Sequence, residues 1–255
     1  MADAVDILSV RDLRKSFGQA RVIDGVSFRI RRGETTGLIG PNGAGKTTLL
    51  NLVTGVVAPD AGEIDYVGMT IGSLSPSRRA LRGIGRTFQE LHLFESMTVL
   101  ENVMIGCVDN AGENLANAVF RWGFSRAADL AAEATALGLL ERVGLVDFAD
   151  RLATELSYGQ QKRLGIARAL ATARDLLCLD EPASGLDPAA TTDLTHLIKG
   201  LGPSVGTILL IEHNLELVRD LCARAIFLDA GQVIADGTPE AVLSDPRVQR
   251  AFMGI

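Results

Sequence analysis

Apolar residues fall in short runs along most of the chain, and the period of the pattern changes twice. In VSFRI, Val26, Phe28 and Ile30 alternate with polar residues, which predicts a strand with one buried face. RRGE (31–34) turns the chain, and TTGLIG predicts a short strand that runs into a glycine-rich loop. Lys46 to Val53 predicts the helix beyond that loop, and APDAGEI predicts a turn followed by another strand. Between Met97 and Leu156 the pattern becomes helical. Leu130, Ala134, Leu137 and Gly144 fall at helical spacing in an alanine-rich stretch, so residues 92–160 are expected to form a helical insertion. Beyond it LLCLD, TILLIEH and AIFLD predict strands separated by helices at 188–199 and 214–222. The ending GTPEAVLSDPRVQRAFMGI predicts two helical turns, each started by a proline.

Strands that alternate with helices indicate an α/β fold with a mostly parallel sheet. The expected division is a discontinuous core of 1–91 and 161–238, the insertion at 92–160 and a helical tail at 239–255. No internal repeat or flexible linker interrupts this plan, which predicts a single nucleotide-binding unit.

Composition narrows the classes. The 255 residues are 47% hydrophobic and 22% charged, enough for one large or two small packed domains. Lys and Arg number 25 against 31 Asp and Glu, a net charge of −6. Such a surface opposes duplex nucleic acid, with about one negative charge per 1.7 Å of axis, and no nucleic-acid partner is expected. Mean hydropathy is high at +0.22, yet TILLI and LLCL fall far short of the ~20 residues of a spanning helix. They read as buried strands. The acidic start MADAVDILSV lacks the basic segment of a signal peptide, and Cys107, Cys178 and Cys222 have no metal spacing. A reduced cytoplasmic setting is expected.

The strongest chemistry lies in GPNGAGKTT, where residues 40–47 fit G-x-x-x-x-G-K-[ST] between a strand and a helix. Gly40, Gly43 and Gly45 let backbone N–H groups converge on phosphate oxygens. Lys46 supplies a point charge for the β- and γ-phosphates, and Thr47 can ligate Mg²⁺. Asn42, Gly43, Gly45, Lys46, Thr47 and Thr48 are the candidate contacts of this loop to ATP. LLCLDEP ends an apolar strand in two carboxylates, at the edge of a parallel sheet where ligands bind. Asp180 suits the Mg²⁺ shell, and Glu181 suits a general base for an attacking water. Alone, such an acid pair reads first as a helix N-terminal feature favoured by the macrodipole; beside the phosphate loop, catalysis is the reading. His213 follows a core strand at the same sheet edge, where it could hold the γ-phosphate and water or serve structure only; His92 and His196 are read as structural. Phe17, in KSFGQ, could stack on adenine or pack in the core. LSYGQQKRL adds a Ser-x-x-Gln capping box, with Ser157 at the N-cap and Gln160 three residues on.

In this order, GPNGAGKTT, TFQE, LSYGQ, LLCLDEP, SGLD and EHN resemble an ABC-transporter ATPase over essentially the whole chain. The resemblance implies a phosphate-loop NTPase core with a mostly parallel sheet, an N-terminal antiparallel β part and the helical insertion. It implies that Gln89 contacts Mg²⁺ or water and the permease, that Ser157, Gly159 and Gln160 belong to the signature loop, that Asp187 belongs to the D-loop, and that His213 is the switch histidine. It further implies ATP and Mg²⁺ as cofactors. The implied partners are a second ATPase subunit meeting the first head to tail, two transmembrane permeases and, indirectly, an external binding protein. IGRTFQELHLFESMTVLENV, Tyr158 and the C-terminal segment are similar to ATPases of branched-chain amino acid and amide importers. Tyr158 replaces the glycine commonest across the superfamily, and Asp187 and Gly165 stand where this subgroup often has Asn and Glu. Lipid or lipopolysaccharide export, or a non-transport clamp, is the alternative. Such a subunit would lie in the cytoplasm, peripheral to the membrane through its permeases.

Overall fold

The computed structural model describes residues 6–107 and 125–253. Two sheets form its frame. The first is antiparallel in the order β2-β1-β4-β5, built from β1 (Asp6–Phe17), β2 (Ala20–Arg31), β4 (Ala61–Tyr66) and β5 (Met69–Thr70). The second runs β10-β9-β3-β8-β7-β6, from β3 (Thr35–Ile39), β6 (Ile84–Arg86), β7 (Leu176–Asp180), β8 (Ile208–Ile211), β9 (Arg224–Asp229) and β10 (Gln232–Gly237). All neighbours in it pair in parallel except β9 with β10. An antiparallel N-terminal part beside a mostly parallel sheet is thus what the chain folds into.

The central strands are apolar along most of their length because each face meets a different core. Leu176 and Cys178 of β7 pack with Leu209 and Ile211 of β8 and with Ile226 and Leu228 of β9, against the antiparallel sheet and helix α1 (Lys46–Thr54). Leu177, Leu179, Ile208, Leu210, Ala225 and Phe227, the alternate positions, face the helical side. That side is built from α3 (Val99–Cys107), α4 (Ser125–Arg142), α5 (Tyr158–Thr172) and α6 (Pro188–Val205). A short α2 (Pro76–Leu81), α7 (Leu215–Leu221), α8 (Pro239–Leu243) and α9 (Pro246–Met253) complete the described α-helices, the last two each opened by the expected proline.

Two expectations shift. The buried face of α4 is Ala136, Leu139, Leu140 and, just past its end, Val143, while Leu130 is 60% exposed. Ala134 is exposed and Leu137 only half-buried. Gly144 lies outside the helix, at φ 70, where its N–H bonds Glu141 O and that of Leu145 bonds Leu140 O. This is a Schellman ending, and it needs the left-handed conformation that glycine tolerates. Helix α5 begins at Tyr158 and runs through residue 160 to Thr172, so the expected edge of the insertion falls inside a continuous helix. Part of that insertion, 108–124, lies outside the described residues. The pattern also did not predict α2 or β6, which are only 6 and 3 residues long.

Candidate active site

The ends of β3 and β7 lie at the same edge of the parallel sheet, separated by β8. From β3 the chain turns through residues 40–45 into α1. Gly40 is forced by contact: a Cβ there would sit 2.0 Å from Leu228 O. Gly45 holds the N-cap of α1 at φ 102. The loop therefore curls over the helix start, where unpaired N–H groups and the positive end of the dipole favour an anion. Lys46 folds back across the loop, its Nζ donating to Gly40 O at 2.8 Å and Pro41 O at 2.9 Å. Burial lowers its pKa, and the nearby Glu181 and Asp180 carboxylates oppose that fall.

A cleft of about 730 Å³ opens over this loop, lined by Asn42, Gly43, Gly45, Lys46, Thr47 and Thr48 on one side, with Gln89, Glu181 and His213 on the other. The last three are bonded together. His213 Nε2 lies 2.5 Å from Glu181 Oε1, and Gln89 Nε2 donates to Glu181 Oε2 at 3.2 Å. Glu181 adopts φ 47, a left-handed conformation that a non-glycine residue holds only at a cost of roughly 1–3 kcal/mol. Its N–H bonds Ile211 O, so the strained residue is anchored to the end of β8.

Asp180 is not in the lining of this cleft and is 2% exposed, with Oδ2 accepting from Arg86 Nη2 at 3.1 Å. Burial raises its pKa, against the pull of Arg86. Its Oδ1 has no hydrogen-bond partner among the described residues. A buried oxygen left unpaired is costly unless something else satisfies it. Together with the exposed Thr47 hydroxyl, it offers the oxygen donors that Mg²⁺ takes beside substrate phosphates. The residues present fit the ion.

Two residues at this edge carry weight that sequence reasoning missed. Glu212, 4% exposed, accepts from Ala183 N at 3.0 Å through Oε1 and from His213 N at 3.2 Å through Oε2. It ties the loop after Glu181 to the loop of His213, and burial raises its pKa against these bonds. A charge closing an apolar strand was the available signal. Arg86 is the other, with no local signal at all.

The remaining candidates lie outside the lining of the cleft. Phe17 ends β1, 50% exposed, with the Lys15 ammonium 5.5 Å above its ring, which rules out core packing. Ser157 caps α5 with both bonds of the capping box: Gln160 N–H to Ser157 Oγ at 3.4 Å, and Ser157 N–H to Gln160 Oε1 at 2.9 Å. Asp187 caps α6 by accepting from Ala190 N at 2.9 Å. These two helix starts adjoin, for Tyr158 Oη donates to Ser184 O at 3.4 Å and a Cβ on Gly159 would be 3.7 Å from Ala190 Cβ. A second, largely apolar groove of about 400 Å³ lies between α2, α3 and α5, with Phe88, Leu91, His92 and Ile105 in its wall.

Fold and cleft together define the ATP-binding-cassette class. The chain belongs to the ABC transporter family, whose model matches residues 23–184. Within that class, residues 232–254 match the model for branched-chain amino acid ATP-binding cassette transporters. The chain is 39% identical to the high-affinity branched-chain amino acid transport ATP-binding protein BraF of Pseudomonas aeruginosa, covering 97% of this chain and 98% of that one. It is 37% identical to the lipopolysaccharide export system ATP-binding protein LptB of Haemophilus influenzae, with 98% of each covered. A nucleotide-free ATP-binding cassette from an ABC transporter superposes with TM-score 0.85 at 35% identity, covering 98% of this chain and 100% of that one. The ADP conformation of an ATP-binding cassette of an ABC transporter gives 0.83 at 34% identity with the same coverage. A dimeric bacterial cassette gives 0.76 at 25% identity, covering 91% of this chain and 98% of the other.

Proposed function

We propose that the chain is the ATP-hydrolysing subunit of an importer for branched-chain amino acids or amides. The observation that carries the hydrolytic part is Glu181, held by His213 and Gln89 on the wall facing the phosphate loop. The backbone of 40–45 and the start of α1 bind the phosphates of ATP, and Lys46 exchanges its two carbonyl partners for phosphate oxygens. Glu181 accepts the proton of the attacking water, while His213 and Gln89 orient water and γ-phosphate. Thr47, Gln89 and the free Asp180 oxygen would hold Mg²⁺, which draws charge from the phosphate oxygens when bound.

Ser157, Gly159, Gln160 and Asp187 serve the phosphate loop of a second subunit in this reading, since they line no part of the cleft in their own chain. Phe17 stacks on adenine at its outer end. Permeases in the membrane receive the motion, for no helix among the described residues is long and apolar enough to cross a membrane. The C-terminal match to the branched-chain amino acid model favours import over lipopolysaccharide export.

Glu181→Gln tests the assignment. ATP binding should survive, turnover should fall by about 10²–10⁴-fold as expected for a lost general base, and the ATP-bound dimer should persist. A steady-state rate within a few-fold of the parent would end this role for Glu181.

A further inference from the structure

Arg86 ends the three-residue edge strand β6, and its guanidinium crosses the end of β7 to reach α1. Nη1 donates to Asn51 Oδ1 at 2.7 Å and Thr54 Oγ1 at 2.8 Å, and Nη2 donates to Asp180 Oδ2 at 3.1 Å. The pair is deeply buried, with side chains 7% and 1% exposed. Thr54 Oγ1 gives its own proton to Leu50 O, so it can only accept from Arg86. Thr47, Asn51 and Thr54 stand at i, i+4 and i+7 on α1, which places them along one stripe of the helix. One planar fork therefore grips the carboxylate at the end of β7 and the stripe of α1 that begins with Thr47.

We infer that Arg86 is a positioning residue for the metal site. Resting on the reading of Thr47 and Asp180 as Mg²⁺ oxygens, this inference gives Arg86 two tasks. It occupies Asp180 Oδ2, so that the free Oδ1 is the oxygen presented, and it fixes the spacing between β7 and α1, on which both oxygens ride. A lysine is a single point charge and cannot reproduce a fork shared by three acceptors. The open side of the guanidinium is covered by Phe88, whose ring lies 4.9 Å away and is half-exposed in the apolar groove. An occupant of that groove which moved Phe88 would thus act on the metal oxygens through one side chain.

The test compares ATP affinity in EDTA with ATP affinity across a Mg²⁺ titration, for the full chain and its Arg86→Ala, Arg86→Lys and Asn51→Ala forms. Arg86→Ala should bind metal-free ATP like the parent but need about 10-fold to 100-fold more Mg²⁺ to reach the metal-dependent affinity, the usual effect of losing a ligand's supporting partner. Arg86→Lys should recover part of that loss, and Asn51→Ala, which keeps the charge pair, should shift the midpoint by a few-fold. If burying Asp180 without its cation prevents Arg86→Ala from folding, the other two forms decide. Unchanged Mg²⁺ midpoints in the folded variants, or an equal loss with and without the metal, would overturn the inference. No ATP binding by the parent would defeat the proposed function itself. ATP binding without any Mg²⁺ effect would defeat both the metal reading of Asp180 and the role of Arg86.

Discussion

Gly40 and Gly43 look alike in the phosphate loop but are constrained differently. At Gly40 a Cβ would strike the Leu228 carbonyl oxygen at 2.0 Å, a backbone atom of β9, whereas at Gly43 nothing lies within 4 Å and only φ 79 resists a side chain. Gly40→Ala should therefore destabilise the chain by about 3 kcal/mol or more through overpacking. Gly43→Ala should cost about 1–2 kcal/mol, the strain of a left-handed residue. Urea midpoints distinguish them, and equal midpoints would contradict the close contact at Gly40. This loop was legible in the sequence because its phosphate chemistry is packed into eight consecutive positions. Asp180 and Glu181 were legible for a related reason, as acids that end a fully apolar strand. Arg86 was not, because its acceptors lie 35, 32 and 94 residues away. Nothing near an arginine in the sequence says that it will be buried against them.

Among the elements, strands were easier to read than helices. A strand buried on both faces is an uninterrupted apolar run, and β7, β8 and β9 each begin or end within a residue or two of the expected position. In α4 the alanines give little contrast between faces, so the predicted stripe was rotated from the buried one. The segment leading into α3 shows a mixed outcome. At Leu91, Leu93 and Phe94, exposed side chains would mark a docking surface and buried ones a core. Leu93 packs against the core, Leu91 borders the apolar groove, and Phe94 stays 42% exposed beneath the Arg168 guanidinium. Its backbone is held by the buried Asn102, through Phe94 N–H to Oδ1 at 2.9 Å and Nδ2 to Phe94 O at 3.0 Å. Since those bonds do not involve the ring, Phe94→Asp should leave folding and ATP binding intact. It should weaken assembly with the permeases by about tenfold or more, the scale of an aromatic anchor. A melting temperature that collapses in the isolated subunit would place Phe94 in the core and remove it from the interface.

At the scale of the whole molecule, the question is which phosphate loop the Ser157 helix start serves. In a head-to-tail dimer, a Lys46→Ala subunit mixed with a Ser157→Arg subunit puts both lesions in one composite site and leaves the other whole. Purified mixed dimers should then keep about half the parent rate, one of two symmetric sites remaining. A double-mutant subunit paired with the parent should be almost inactive. The reverse pattern, with activity in the second pair and silence in the first, would mean that each chain uses its own signature loop; silence in both would mean that neither site turns over alone. The alternation along β7, β8 and β9 bears on how such a dimer withstands repeated closure. Because successive residues of one strand belong to opposite cores, the two cores share a wall and neither can loosen without stripping the other's support. The cleft at the edge of that wall is held from both sides at once, and is no firmer than the weaker of the two.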